Sequence, residues 1–143
     1  MDHEYRRRAL SEIFHGIFPG APPDEDPAEG VFDMIVAVAF VLCVRDVVGD
    51  GGEDAIRRAR TEYRLVDVDE KQVPAWMVEA YIRGALGEGR MIQGIDPIRK
   101  ADVQLGFIHQ FVTQPSLTDA RREELTEAGM ALLEEMDQRS RHA

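Results

Sequence analysis

The sequence predicts an all-α fold, and three observations carry that prediction. Met34 to Val44, MIVAVAFVLCV, is an apolar run of eleven residues bounded by Asp33 and by Arg45-Asp46. Two aspartate-proline pairs, Asp26-Pro27 and Asp96-Pro97, each set a capping side chain before a proline at the first helical position. Through most of the remaining chain, apolar residues recur at three- and four-residue steps, the period of an amphipathic helix. The expected architecture is a single domain over residues 1–143, a bundle of five to six helices around a buried central helix at about 27–48.

The first helix is expected over 3–17, with Tyr5, Leu10, Ile13, Phe14 and Ile17 on its buried stripe and Arg6, Arg7 and Arg8 on other faces. Pro19, Gly20, Pro22 and Pro23 stop it, and a proline-rich acidic loop fills 18–26. Asp26 then caps the central helix, and Glu29 can reach back as its capping-box partner. Gly49 ends it. Length decides against a strand here, because 18 extended residues would reach about 60 Å. The β-branched residues argue the other way, so a strand at 34–41 is the alternative.

A third helix is expected over 53–64, with Ile56, Ala59 and Tyr63 on one stripe, followed by a short alternating segment at 65–69. Pro74 opens a fourth that carries Trp76, Met77, Ala80, Tyr81 and Leu86 and ends among Gly84, Gly87 and Gly89. The fifth, over 97–113, has one seam at Ile98, Ala101, Leu105, Ile108 and Val112 and a second at Val103, Phe107 and Phe111. A helix apolar on two sides is either internal or part of an interface. The last helix follows Ser116-Leu117-Thr118-Asp119 and runs to about Arg139, with Leu125, Ala128, Leu132 and Met136 as its stripe and a frayed tail at 140–143.

Composition narrows the function classes. The chain is 44% hydrophobic and 31% charged, with a net charge of −10. That field repels phosphate backbones and anionic lipid, so nucleic acid and membrane partners are disfavoured and a basic partner suits it. Arg6, Arg7 and Arg8 run against the average and are the anion-binding candidates. Cys43 is the only cysteine and sits in the apolar run, where a thiol acts as a small hydrophobe. A lone cysteine and the lack of an export signal point to the cytoplasm.

No spacing specifies a reaction, a cofactor or a metal site. Glu12 and His15 form one E-x-x-H, whereas a carboxylate-bridged di-iron bundle needs two such pairs plus further glutamates. Gly49-Asp50-Gly51-Gly52 precedes a helix, but its spacing fits no phosphate loop, and Asp50, Glu53 and Asp54 repel a phosphate. Asp119 to Gly129, running into Leu132-Leu133, resembles the wing-to-last-helix segment of the multiple-antibiotic-resistance class of winged-helix repressors. That resemblance implies a DNA-binding regulator with a β-strand just before Leu125-Thr126. The residues themselves, Arg122-Glu123-Glu124, read as helix, and no basic recognition helix lies upstream.

The functional expectation is a small helical module that works by protein–protein contact. It would be an accessory subunit, adaptor or inhibitor or immunity-type partner of a basic protein, or a homodimer. The alternative is a small-ligand-binding or sensor domain with a pocket between the fourth and fifth helices. Trp76, Tyr81, Phe107, His109 and Phe111 are the interface or pocket candidates for both readings.

Overall fold

The apolar run and the amphipathic stripes all fold as helix. The computed structural model describes residues 3–17, 31–63, 73–87 and 97–142, and among these there are six helices and no strand. In order they are α1 (His3–Phe14), α2 (Val31–Val48), α3 (Gly52–Glu62), α4 (Ala75–Ala85), α5 (Pro97–Val112) and α6 (Asp119–His142). The all-α expectation holds, and the strand alternative at 34–41 does not. None of the described helices is long and apolar enough to cross a membrane. The Asp26-Pro27 start, the loop at 18–26, the segment at 65–69 and the Asp96 cap lie outside the described residues.

Contacts divide the chain into two compact units, residues 1–42 with 112–143 and residues 43–111, where the sequence suggests one core. The boundary falls inside the apolar run of α2, between Leu42 and Cys43. Along that run Met34, Ala37 and Val41 are half-buried, and the other eight residues are buried.

In the first unit, α1 packs against α6. Three pairings in reversed order set them antiparallel: Phe14 with Arg122, Leu10 with Gly129, and Arg6 with Asp137. The buried face of α6 is Leu125, Thr126, Gly129, Met130 and Leu133. It is rotated from the expected stripe, since Ala128 is exposed and Leu132 and Met136 are only half-buried. Gly129 explains the rotation. A Cβ there would lie 2.9 Å from Leu10 Cδ1 and 3.5 Å from Leu42 Cδ1, so the helices approach closest where a side chain is missing. A hydrophobicity pattern does not weigh that residue.

The ends of the helices are also specific. The expected first helix stops at Phe14, three residues early. Gly16, at φ +83°, donates to the Ile13 carbonyl, and Ile17 donates to that of Glu12 at 2.8 Å, a Schellman cap. Arg122 then donates to the Phe14 carbonyl and, at 2.9 Å, to that of Val112. One guanidinium thus serves the final carbonyls of α1 and α5. Thr118 caps α6 by accepting from the Arg121 amide at 3.1 Å. Helix therefore begins at Asp119 and includes Arg122-Glu123-Glu124, which removes the strand that the winged-helix resemblance requires. It continues to His142, past the expected end near Arg139.

In the second unit, α3 packs against α4. Ala55, Ile56, Ala59 and Tyr63 bury the expected stripe, together with Met77, Val78, Ala80, Tyr81 and Ile82. The Tyr63 ring stacks on Phe107 of α5 with centroids 4.1 Å apart and planes 16° apart, a pairing worth about 0.5–1.5 kcal/mol beyond area burial.

The first unit sets two expectations for stability. Arg122→Ala leaves two helix-end carbonyls without their charged donor and should cost about 1.5–3 kcal/mol in urea denaturation. Gly129→Ala gains about 1 kcal/mol of helix propensity but must displace the Leu10 methyls, so it should be close to neutral. Gly129→Val, which adds more bulk at the same crossing, should destabilise by about 1–3 kcal/mol in the same measurement.

Candidate functional site

The five aromatic and histidine candidates do not form one site. Phe107 is 0% and Phe111 3% exposed. Both are core residues within the chain. The second apolar stripe of α5 is used internally, with Phe107 held against Tyr63. Tyr81 is also buried, and that burial pushes its phenol above the ordinary value. His109, by contrast, is exposed. Trp76 is 59% exposed. A pocket lined by all five would need residues from the core and the surface at once.

The arginine candidates are engaged within the fold. Arg6 is buried rather than on an outer face, and it pairs with Asp137 through Nη1 at 2.8 Å and Nη2 at 3.3 Å. Arg7 pairs with Glu127 across the same helices. The Arg8 guanidinium lies 5.6 Å from the Tyr5 ring centroid, a cation–π distance. Two of the three positive charges therefore already have carboxylates.

Other chemistry is no better assembled. His15 Nδ1 lies 2.8 Å from the Ser11 carbonyl, its own preceding turn, and among the described residues no group of three or more potential ligands could hold a metal. Cys43 is fully buried, and desolvation, with Asp46 adding to it, raises its thiol well above the usual value. A thiol in that state is a poor nucleophile. A depression of about 130 Å³ is lined by Val47, Ala55, Arg58, Ala59 and Glu62. Ligand pockets are typically several hundred Å³.

The described surface does carry one organised feature, the outer seam of α3 and α4. Arg83 donates to both Glu53 oxygens, at 2.9 and 2.5 Å, and through Nε to Glu79 at 3.3 Å. Arg60 donates to the other Glu79 oxygen at 3.0 Å. The pairs Glu53–Arg83 and Arg60–Glu79 run in opposite order along the chain, so they fix the hairpin antiparallel. The hydrogen bond from Arg83 holds the Glu53 carboxyl below its ordinary range, and Glu53 in turn raises the Arg83 guanidinium.

Trp76 sits one turn before Glu79 on α4. Trp76, Glu79, Arg83 and Leu86 follow at i, i+3, i+7 and i+10, which places them within about 80° of helical arc. Leu86 is 38% exposed. The result is a surface stripe with an apolar residue at each end and an ion-paired middle. The sequence singles out Trp76 as an interface or pocket candidate and places Leu86 on the same helix, but it does not pick out the ion pairs of Glu53, Arg60, Glu79 and Arg83. The Glu79–Arg83 four-residue spacing was the available signal.

No known protein family matches the chain, and neither curated proteins nor solved structures give a match.

Two measurements check this assignment of core and surface. Phe107→Ala should cost about 3–5 kcal/mol, whereas Trp76→Ala should change stability by less than about 0.5 kcal/mol in denaturant titration. The second concerns pH. A carboxyl whose folded pKa is depressed contributes stability that is complete above its unfolded pKa and is lost as pH falls through the folded value. The melting-temperature difference between the wild type and Glu53→Gln should therefore be constant near neutrality and shrink below the ordinary glutamate range. Because Glu53 lies on the surface, the difference should also shrink in high salt.

Proposed function

We propose that this chain is a helical protein–protein interaction module that works through the α3–α4 surface. The observation that carries the reading is Trp76, the chain's only tryptophan, 59% exposed on an ordered helix. Tryptophan is highly buried on average, and at interfaces it is among the residues that dominate binding energy. The ion-paired charges of Glu79, Arg83, Arg60 and Glu53 supply the polar rim that such an anchor has in known interfaces.

The location of the charge bears on the partner. Helices α3 and α4 together carry Glu53, Asp54, Glu62 and Glu79 against Arg57, Arg58, Arg60 and Arg83, an even balance. The acidity of the described residues is concentrated on α6, where Glu123, Glu124, Glu127, Glu134 and Glu135 are all exposed. The acids of α6 would attract a basic surface, whereas the even balance of α3 and α4 asks no net charge of whatever meets Trp76. A cytoplasmic setting belongs to this proposal and is supported by the single, buried thiol.

The test replaces Trp76 with a photo-crosslinking phenylalanine derivative in the producing cells, with Glu134 so replaced as a control. A discrete adduct from position 76, and none from position 134, is the expected result. No adduct from position 76 overturns the proposal.

A further inference from the structure

The stripe Trp76, Glu79, Arg83, Leu86 reads apolar, acidic, basic, apolar along α4. Read backwards it is apolar, basic, acidic, apolar. That order is complementary to itself when two copies of the helix lie antiparallel. Trp76 of one copy then faces Leu86 of the other, and Glu79 faces Arg83, with every relation repeated by the two-fold axis. The ten-residue separation of Trp76 and Leu86 spans about 15 Å, long enough to set both apolar ends and the charged middle in one contact. Parallel pairing would place Glu79 on Glu79 and Arg83 on Arg83, so the charge pattern selects the antiparallel form.

We infer that the occupant of the α3–α4 surface is a second copy of this chain, docked antiparallel along α4 to form a two-fold dimer. The inference rests on the contact reading above and names the partner. Two further observations favour a copy over a different protein. The four acids and four arginines of α3 and α4 balance, so two such faces meet without net repulsion although each chain carries −10. The central charges are also held in place by α3: Glu79 by Arg60 at 3.0 Å, and Arg83 by Glu53 at 2.9 Å. They meet the opposing copy as fixed charges, with little side-chain freedom left to lose. An isologous contact of this kind closes on itself and stops at two chains.

The contact area is small, so the dimer should be weak and concentration-dependent. Light scattering and sedimentation of the full chain from micromolar to millimolar concentration should show monomer passing to dimer. Over the same range the Trp76 emission should shift to the blue and become less accessible to acrylamide. Trp76→Ala should weaken dimerisation about tenfold or more. The charge order gives a sharper test. Glu79→Arg alone and Arg83→Glu alone each place like charges opposite one another, and each should be monomeric. In a one-to-one mixture, positions 79 and 83 of the first variant both carry arginine, and those of the second both carry glutamate. Each 79–83 contact across the two-fold axis then joins opposite charges, so the mixture should recover a heterodimer.

A wild type that stays monomeric overturns the inference, as does a dimer unaffected by Trp76→Ala. Where a charge variant melts early, Leu86→Asp at the end of the stripe serves instead, and undiminished dimer with it has the same meaning. A monomer whose position 76 crosslinks to a different protein overturns self-association alone. Failure to crosslink to anything overturns the contact reading as well.

Discussion

An eleven-residue stretch with no polar side chain must be kept from water on nearly all sides, and the fold follows from that requirement. Each valine, isoleucine, leucine or phenylalanine withdrawn from solvent contributes about 1.5–3 kcal/mol, and α2 is dense in them from Ile35 to Val44. One amphipathic helix covers only a stripe. The boundary between the two compact units falls inside its apolar run, so part of that run belongs to each. Cys43 shows how complete the enclosure is, since a thiol there is withheld from ionisation by burial.

The polar groups then sort by what that enclosure leaves free. In the first unit, Arg6 is buried, and Asp137 accepts from two of its nitrogens. Leaving such a cation buried alone would be far more costly than never having it. Arg122 solves a different problem. Two helices end near it with carbonyls that nothing within those helices can satisfy, and its planar fork reaches both. These two arginines are structural, and their net effect is to hold α1 antiparallel to α6. The corresponding role in the second unit falls to the Glu53–Arg83–Glu79–Arg60 set, which is on the surface. There the same chemistry contributes less to stability, because solvent screens it, and more to register.

Much of this was legible from the chain. The length of the apolar run and its flanks point to α2, and helical periodicity to the other five elements, because stripes such as Ile56, Ala59 and Tyr63 leave little alternative. The ends were legible where they depend on local chemistry, as at Thr118 before α6 and Gly49 after α2. What was not legible depended on distant residues. The face of α6 turns on Gly129, whose importance is that Leu10 and Leu42 come close to it. The burial of Arg6 depends on Asp137, 131 residues away. Periodicity names Trp76 and Met77 together on the fourth helix and cannot tell that the first is exposed and the second buried. Phe107 and Phe111 are the reverse case: their excess over one seam suggests an interface from the sequence, and within the chain both are buried, as are Ile108 and Val112 of the other seam.

The exposure of Trp76 and the pairing of the charges around it are one arrangement. Closing a surface over an indole requires removing water from whatever rims it, and free carboxylates or guanidinium groups resist that strongly. Groups already hydrogen-bonded to each other resist less, because part of their demand is met before water leaves. Along α4, Glu79 has both oxygens engaged, and Arg83 donates from three nitrogens. The outer face of α6 is built the other way. Arg121 and Arg139 each serve one glutamate along the helix, and the acids still outnumber the arginines on that face. Covering α6 would require a partner to bring cations, whereas covering α4 would not. The exposed acids of α6 lack a balancing set of cations on their own helix, whereas the charges beside Trp76 on α4 are already paired, which makes the α4 surface the cheaper of the two to dry.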